Sequence, residues 1–235
     1  MTHFLMILLA LAIAIILHEL AHGAVAYWLG DYTARWAGRL SLNPVKHIDK
    51  TGSIIVPLVL AVGQILTLGR IAFLYGWAKP VPVNPVNLRI GHYRDARRLM
   101  ALVALAGPVM NFVLALVGGF AIHAAEALQS LPLLDFLIYF IQINLVLGLF
   151  NLIPLPPMDG GRIAVGLLPL PLAIRLAQAE KIGIVAVLLV LFVLPVALGE
   201  FGIRFDPFGE AMGLVLPAAE RVVLNLTGNG LGIGG

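Results

Sequence analysis

The chain contains no cysteine among its 235 residues. This absence excludes disulfide bonds, cysteine-ligated zinc, iron–sulfur clusters and thiol nucleophiles. A metal bound by this chain must therefore be held by histidine and carboxylate side chains.

Charged side chains are also scarce, at 11% of the residues, whereas an ordinary soluble domain has about 25%. Hydrophobic residues make up 60% and the mean hydropathy is +1.00. So little charge excludes a soluble domain, and the same numbers exclude disorder and fibrous repeats. The composition predicts an integral protein of the lipid bilayer. The net charge of +3 comes from few residues, so we expect no nucleic-acid partner.

Long apolar runs predict the membrane spans. Full transmembrane helices are expected at 4–29, 99–120, 136–153 and 182–199. A secretory signal peptide is the alternative for the first run, but no basic segment precedes it and apolar residues resume after residue 22. A further apolar run begins at residue 53, is interrupted by Pro57 and ends at Arg70.

Basic residues predict the path between these runs. Loops 31–52 and 76–98 are rich in lysine and arginine, whereas 127–135 has neither. Because basic loops favour the cytoplasmic side, both should lie there, and 53–75 must then return to the side it entered from. The predicted fold is an all-α polytopic membrane protein with four full transmembrane helices plus a re-entrant element.

Short membrane-associated β-strands are expected beside the re-entrant element, at 36–47 and 78–84. An unpaired strand edge there could bind an unwound substrate segment. Residues 1–200 are expected to form one membrane domain. Residues 201–235 are expected to form an amphipathic stretch, at 210–224, and a flexible tail.

The first apolar run contains the pattern H-E-x-x-H at His18, Glu19 and His22. Histidines four residues apart share one helical face and can direct two imidazoles at one Zn²⁺. The glutamate beside the first histidine can reach a metal-bound water as a general base. Each charge inside a membrane helix costs of order 2.5 kcal/mol or more, which favours a function over simple polar packing.

A catalytic zinc usually has three protein ligands and a water, so a third ligand is needed. The ionisable candidates in or near the membrane are Asp31, His47, Asp49, His92, His123, Glu126, Asp135 and Asp159. Asp159 stands out because prolines precede it and two glycines follow it, and unwound backbone at membrane depth must be buried or line a cavity. The alternative is a proline-rich turn in which Asp159 caps a helix.

Three motifs in this order resemble those of the site-2 proteases, zinc metallopeptidases that cut within or near membrane helices. The motifs are His18-Glu19-x-x-His22, Gly107-Pro108-x-x-Asn111 and Asn151-x-x-Pro154-x-Pro156-x-x-Asp159-Gly160. The resemblance covers about residues 4–165. Segments 43–49 and 76–84 are similar to the compact prokaryotic branch, and the sequence has no inserted PDZ domain and no CBS pair.

The resemblance implies an intramembrane zinc metalloprotease with one Zn²⁺ per chain. It implies that His18, His22 and Asp159 are the metal ligands. It also implies that Glu19 is the general base for the zinc-activated water.

Asn111 and Asn151 are implied to line the active site and to hold the substrate backbone or the oxyanion. The implied substrates are transmembrane proteins or peptides. We expect a multi-pass protein of the plasma membrane with its active site toward the cytoplasmic side. Small residues in 99–127 could pack helices within one protomer or between two, so a homo-oligomer is compatible with the sequence.

Two other functions are alternatives. A membrane cation (zinc) transporter would have ionisable residues along the whole membrane depth, whereas here they cluster on one side. A non-catalytic membrane scaffold would not need the complete set of catalytic residues that this chain has.

Overall fold

The computed structural model describes residues 2–70, 76–93, 95–179, 183, 186–187 and 189–230. These residues are mainly helical. The α-helices are α1 (Thr2–Trp28), α2 (Thr33–Trp36), α3 (Val56–Leu68), α4 (Ala96–Ala127), α5 (Leu131–Asn151), α6 (Asp159–Leu167), α7 (Leu170–Gln178), α8 (Leu194–Glu200) and α9 (Pro207–Leu226). Short π-helical segments, Lys50–Ile55 and Leu189–Val193, precede α3 and α8, and 3₁₀ turns occur at Pro44–His47 and Pro85–Asn87.

Four of the described helical segments are long and apolar enough to cross a bilayer. They are Thr2–Trp28, Lys50–Leu68, Ala96–Ala127 and Leu131–Asn151. The prediction of a multi-pass helical membrane protein is therefore confirmed. The predicted span at 182–199 lies partly outside the described residues, and its described part is helical over Leu189–Glu200.

Helices α1, α4 and α5 form the core of the protein, and α6 packs against α4. One buried cluster joins Ala26 and Leu29 to Leu99 and Val103, so the end of α1 lies beside the start of α4. Helix α5 runs back along α4, and a Cβ on Gly118 would lie 2.9 Å from Ile141. A glycine at this crossing allows the two backbones to approach closely.

The segment predicted to be re-entrant, 53–75, is helical from its start to Leu68. Lys50–Leu68 is one helical segment of 19 residues, and residues 71–75 lie outside the described residues. Pro57 lies where the π-helical segment passes into α3. The Gly52 carbonyl, five residues earlier, accepts from the Trp77 N–H at 3.1 Å, so the hydrogen bond that a proline cannot donate is replaced. The expected re-entrant element with strands is not supported.

The β-strands predicted at 36–47 and 78–84 are wrong, because the described residues contain no strand and only one isolated bridge, Ile90 to Tyr93. Residues 76–84 form neither helix nor strand. Pro80 and Pro82 lack the N–H groups that one side of a ladder would need. Four amides of this 76–84 segment bond individually to other parts of the chain, and they are those of Trp77, Lys79, Val81 and Asn84.

The two basic loops lie together at one end of the core. The Lys79 N–H donates to the His47 carbonyl at 2.8 Å, and Arg39 Nη2 donates to the Lys79 carbonyl at 2.6 Å. The Arg89 N–H donates to the Leu29 carbonyl at 2.8 Å, at the end of α1. These bonds place both loops at the same end of the bundle.

Helix α9 packs against the core. Its residue Val223 is buried with Ile122, Leu137 and Ile141 of α4 and α5. The predicted amphipathic stretch is therefore part of this longer helix, Pro207–Leu226. The domain boundary at residue 200 stays a prediction, and residues 231–235 lie outside the described residues.

Candidate metal centre

The spacing of the two histidines on α1 brings their rings together. His18 and His22 are four residues apart and therefore share one face of the helix. Their Nε2 atoms lie 3.0 Å apart, and the rings meet edge to face with centroids 4.6 Å apart. Both side chains are largely buried, because this face of α1 packs against α4.

Asp159 reaches the same point through a sharp bend after α5. The chain leaves helix at Asn151, passes three prolines and begins α6 at Asp159 itself. The bend folds tightly onto the start of α6, since a Cβ on Gly160 would lie 2.3 Å from the Leu152 carbonyl oxygen. A Cβ on Gly161 would lie 2.5 Å from the Pro156 nitrogen. The two glycines are therefore required for the close approach that positions the carboxylate.

The three side chains converge on one small volume, and we call His18, His22 and Asp159 the ligand cluster. Asp159 Oδ2 lies 3.2 Å from each histidine Nε2. Two ligands about 2.05 Å from a tetrahedral zinc lie roughly 3.3 Å apart, so the spacing fits such an ion. Among the described residues, this is the group of histidines and carboxylates close enough together to hold a metal.

The hydrogen bonds behind the histidines leave their Nε2 lone pairs available. His22 Nδ1 lies 2.7 Å from the Val103 carbonyl, which can only accept, so Nδ1 carries the proton. His18 Nδ1 lies 2.6 Å from Asn111 Oδ1. Asp159 Oδ2 is buried and has no hydrogen-bond partner. Three buried ligand atoms that face one another at about 3 Å are a set that a cation would satisfy.

Gly107 of α4 lies against the Nε2 side of both histidine rings. A Cβ on Gly107 would lie 2.4 Å from His22 Nε2 and 2.6 Å from His18 Nε2. Both distances are far below a normal contact, so a larger residue would displace the imidazoles. The glycine of the second sequence motif is thus explained by the space that the histidines occupy.

Comparison with known proteins identifies the family. The model of peptidase family M50 matches residues 117–196. The chain is 42% identical over 196 residues to "Putative zinc metalloprotease YwhC" of Bacillus subtilis (strain 168), covering 80% of each chain. The chain belongs to the site-2 protease family. It is also 31% identical over 163 residues to "Putative zinc metalloprotease Rip2" of Mycolicibacterium smegmatis (strain ATCC 700084 / mc(2)155), covering 67% of this chain and 55% of that one.

No solved structure matches the chain. Family membership makes this protein a zinc metalloprotease, and the transporter and scaffold alternatives find no support in these relatives. Its cofactor is Zn²⁺, which fits the two imidazoles and one carboxylate of the ligand cluster.

Glu19 of this site-2 protease faces the same cavity as the ligand cluster. The cavity has a volume of about 780 Å³ and is bordered by α1, the 76–84 segment, the start of α4 and the bend before α6. Glu19 Oε2 accepts a hydrogen bond from the Val81 N–H at 2.9 Å. The backbone of the 76–84 segment therefore holds the carboxylate in place.

The two asparagines predicted to line the active site are in different positions. Asn151 lines the cavity, and its Nδ2 donates to the Leu147 carbonyl at 2.9 Å. Asn111 is completely buried behind His18 and is not part of the cavity wall. Its Nδ2 donates to Asn144 Oδ1 at 2.9 Å. Asn144 was not identified from the sequence, although it lies seven residues before Asn151 on the same face of α5.

Three of the other ionisable candidates for a third ligand have separate partners. His47 Nε2 lies 2.7 Å from the Ser41 carbonyl, and His123 Nε2 lies 2.7 Å from the Thr227 carbonyl. Asp49 accepts from the Gly52 N–H at 2.6 Å. These contacts fix loops and helix ends away from the ligand cluster.

Asp31 anchors the 76–84 segment. Its buried carboxylate accepts hydrogen bonds from Thr33, from the Asn84 N–H at 2.6 Å and from Asn87 Nδ2 at 3.0 Å. Burial raises the pKa of this carboxyl, but the hydrogen bonds from Thr33, Asn87 and Asn84 outweigh burial and hold the pKa below its ordinary value. Asp31 is therefore a structural anchor for the segment that contacts Glu19.

Proposed function

We propose that this zinc metalloprotease hydrolyses peptide bonds in or near transmembrane segments of membrane proteins. The convergence of His18, His22 and Asp159 inside a bundle of apolar helices supports this substrate class most directly. The two histidines lie well inside α1, which is 27 residues long and has no charged residue before them. A substrate bond must therefore enter the protein at membrane depth to reach them.

In this proposal, His18, His22 and Asp159 hold the zinc. When bound, Zn²⁺ polarises the scissile carbonyl and lowers the pKa of water. The hydrogen bonds of His18 to Asn111 and of His22 to Val103 keep both Nε2 atoms directed at Asp159. Such outer contacts orient the ligands and raise their basicity.

Glu19 is the proposed general base. Its carboxylate would take a proton from the attacking water and later deliver that proton to the leaving amine. The Val81 N–H bonds to Oε2, which leaves Oε1 to face the cavity. A carboxylate held by a backbone amide loses no side-chain freedom when the substrate arrives.

Asn151 is the proposed contact for the substrate backbone or the oxyanion. Its Nδ2 uses one of two N–H groups on the Leu147 carbonyl, so the second can donate into the cavity. Donors of this kind elsewhere contribute about 2.7–4 kcal/mol to transition-state stabilisation.

The experiment is to measure zinc content and the cleavage of a model transmembrane peptide in detergent. Glu19→Gln should keep zinc and lose cleavage, because the amide cannot accept a proton. Asp159→Ala should lose both. Glu126→Gln, which changes an exposed glutamate at the other end of α4, is the matched control and should behave as wild type. A Glu19→Gln variant that still cuts would disprove the proposed role of the glutamate.

We place the active site toward the cytoplasmic side of the plasma membrane in this proposal. Both basic loops lie at the end of the bundle nearer the ligand cluster, and basic loops favour that side. The absence of cysteine permits a direct test with single introduced cysteines. A membrane-impermeant maleimide should label Gln129→Cys in intact cells and Lys46→Cys only after permeabilisation. The reverse pattern would contradict the orientation.

A further inference from the structure

A chain of hydrogen bonds connects His18 to the backbone of α5. His18 Nδ1 lies 2.6 Å from Asn111 Oδ1, and Asn111 Nδ2 donates to Asn144 Oδ1 at 2.9 Å. Asn144 Nδ2 then donates to the Phe140 carbonyl at 2.8 Å. Both asparagines are 0% exposed, so water does not offer these groups alternative partners.

The Phe140 carbonyl, at the end of this series of hydrogen bonds, determines the direction of each of them. The Phe140 carbonyl can only accept, so Asn144 must present Nδ2 to it and Oδ1 to Asn111. Asn111 must then present Nδ2 to Asn144 and Oδ1 to His18. An oxygen facing the ring requires the proton on His18 Nδ1, which leaves the Nε2 lone pair for a metal.

We propose that Asn111 and Asn144 are positioning residues that fix the tautomer of His18 before zinc binds. The inference rests on the proposed ligand role of His18. It gives Asn111 a function behind the metal ligand, in place of the substrate contact expected from the sequence. It also gives a function to Asn144, whose polar side chain otherwise lies within an apolar helix core.

The second histidine supports this interpretation, because it reaches the same result by a shorter route. His22 Nδ1 lies directly against a backbone carbonyl, that of Val103. His18 is connected to a carbonyl of α5 through two side-chain amides. Both histidines therefore have a tautomer set by a backbone acceptor.

Gly148 makes room for the connection between the helices. A Cβ at this position would lie 3.3 Å from Asn111 Cβ and 3.4 Å from the Phe112 ring. The absence of a side chain there allows α5 to approach α4 closely enough for the two amides to bond. We call the hydrogen bonds from His18 through Asn111 and Asn144 to the Phe140 carbonyl the relay. The relay thus depends on how closely the two helices pack.

The relay is tested first by zinc affinity, measured by chelator competition. Asn144→Leu and Asn111→Leu should each weaken zinc binding about 10–100-fold, as loss of an outer contact to a ligand does elsewhere. The double variant should be no weaker than either single variant, because the two amides act as one unit. Asn111→Asp, which keeps an acceptor toward His18, should retain most of the affinity.

Thr227→Val is the control for a general loss of stability. Thr227 is also buried, and its Oγ1 donates to the Val223 carbonyl of α9. It lies beside Gly119, toward the opposite end of α4 from the ligand cluster. It should lower the melting temperature and leave zinc affinity unchanged. Wild-type zinc affinity in Asn144→Leu, or equal losses in Asn111→Leu and Asn111→Asp, would overturn the proposal.

A measurement on the wild-type protein does not depend on whether the variants fold. ¹⁵N spectra of histidine-labelled, zinc-free protein should show His18 already protonated on Nδ1. A proton on Nε2 would overturn the proposal. Neither zinc affinity nor the tautomer requires cleavage, so a failure of the protease mechanism would be recognised separately from a failure of the relay.

Discussion

Helix α4 contacts a polar cluster at each of two levels, and the two clusters use histidine in opposite ways. In the ligand cluster, each histidine uses Nδ1 on an oxygen behind it, and Nε2 faces Asp159. Gly107 of α4 lies against this cluster. Gly119, twelve positions further along α4, lies against the second cluster.

The second cluster consists of His123, Thr227 and Asn229, and we call it the distal cluster. Here Nε2 of His123 lies 2.7 Å from the Thr227 carbonyl. Asn229 Nδ2 donates to the Gly119 carbonyl at 2.8 Å and to Thr227 Oγ1 at 2.9 Å. These contacts join the end of α9 to α4.

The difference between the clusters is the direction of the lone pairs. Polar groups of the distal cluster satisfy one another, so the cluster stabilises a helix contact. In the ligand cluster the acceptors converge without donors, so a cation completes the set. In this protein, the two histidines that bond through Nδ1 are those whose Nε2 atoms face Asp159, whereas His123 bonds through Nε2.

The largest expected effect comes from Gly107→Ala. The new Cβ would lie 2.4 Å from His22 Nε2, so the ring must move away from Asp159. We expect zinc affinity to fall by about 100-fold or more and cleavage to be lost. Gly63→Ala, on α3 where a Cβ meets no atom within 4 Å, is the control. Wild-type zinc content in Gly107→Ala would contradict the geometry of the ligand cluster.

Asp31→Asn should have the next largest effect, and it acts on the 76–84 segment. Both oxygens of the Asp31 carboxylate accept hydrogen bonds from N–H groups. An asparagine would replace one of these oxygens by an NH₂ group, which cannot accept a hydrogen bond. We expect a loss of about 1.5–3 kcal/mol in the free energy of unfolding and slower cleavage with zinc retained. Thermal unfolding, zinc content and cleavage rate measure the three effects. Asp135→Asn, near the start of α5, is the control, and equal losses in both would contradict a specific role for Asp31.

The Asp31 carboxylate should also make the stability of the protein depend on pH. The folded-state pKa of Asp31 lies below its ordinary value of 3.8, so its stabilisation is complete above that pH and is lost as the pH falls further. Wild type should therefore lose more stability than Asp31→Asn between about pH 5 and the acid limit of folding. Parallel acid titrations of thermal stability measure this difference, and identical curves would contradict the assignment.

Gly119→Ala is the matched change at the distal cluster, and its effect should be smaller than that of Gly107→Ala. Its Cβ would lie 2.7 Å from Thr227 Oγ1 and would push the end of α9 away from α4. Overpacking of this kind costs about 1–3 kcal/mol of stability. Zinc affinity should remain that of wild type in chelator competition. Loss of zinc in this variant would show that the two clusters are coupled.

Arg70→Gln should have the smallest effect. Arg70 Nη2 pairs with Glu200 Oε1 at 3.1 Å, but both side chains are at least half exposed. Exposed ion pairs contribute about 0–1 kcal/mol, less in high salt. The melting temperature should change little, and zinc and cleavage should not change. A large loss of activity would show that this contact matters to the site.

The sequence predicted those features that depend on local spacing. The two histidines four residues apart and the glutamate between them follow from helical periodicity alone. The importance of Asp159 followed from the prolines and glycines around it. Neither pattern could reveal Asn144, because its role depends on which face of α5 meets Asn111.

The errors of prediction have local physical causes. The apolar run that begins at residue 53 was divided at Pro57, although the Gly52 carbonyl that the proline leaves without an intrahelical donor accepts from the Trp77 N–H. The strand predicted at 78–84 was wrong, and Pro80 and Pro82 lack two of the N–H groups that a ladder would use. The Val81 and Asn84 amides bond instead to the distant side chains of Glu19 and Asp31, which no local pattern specifies.

The most direct test of the central claim is an anomalous-scattering experiment on zinc-loaded crystals of the Glu19→Gln protein. One zinc ion should be bonded to Nε2 of His18, Nε2 of His22 and Oδ2 of Asp159. Each Nδ1 should still face its oxygen partner, Asn111 or Val103. A zinc ion at the distal cluster, or one bonded through either Nδ1, would contradict this assignment of the metal site.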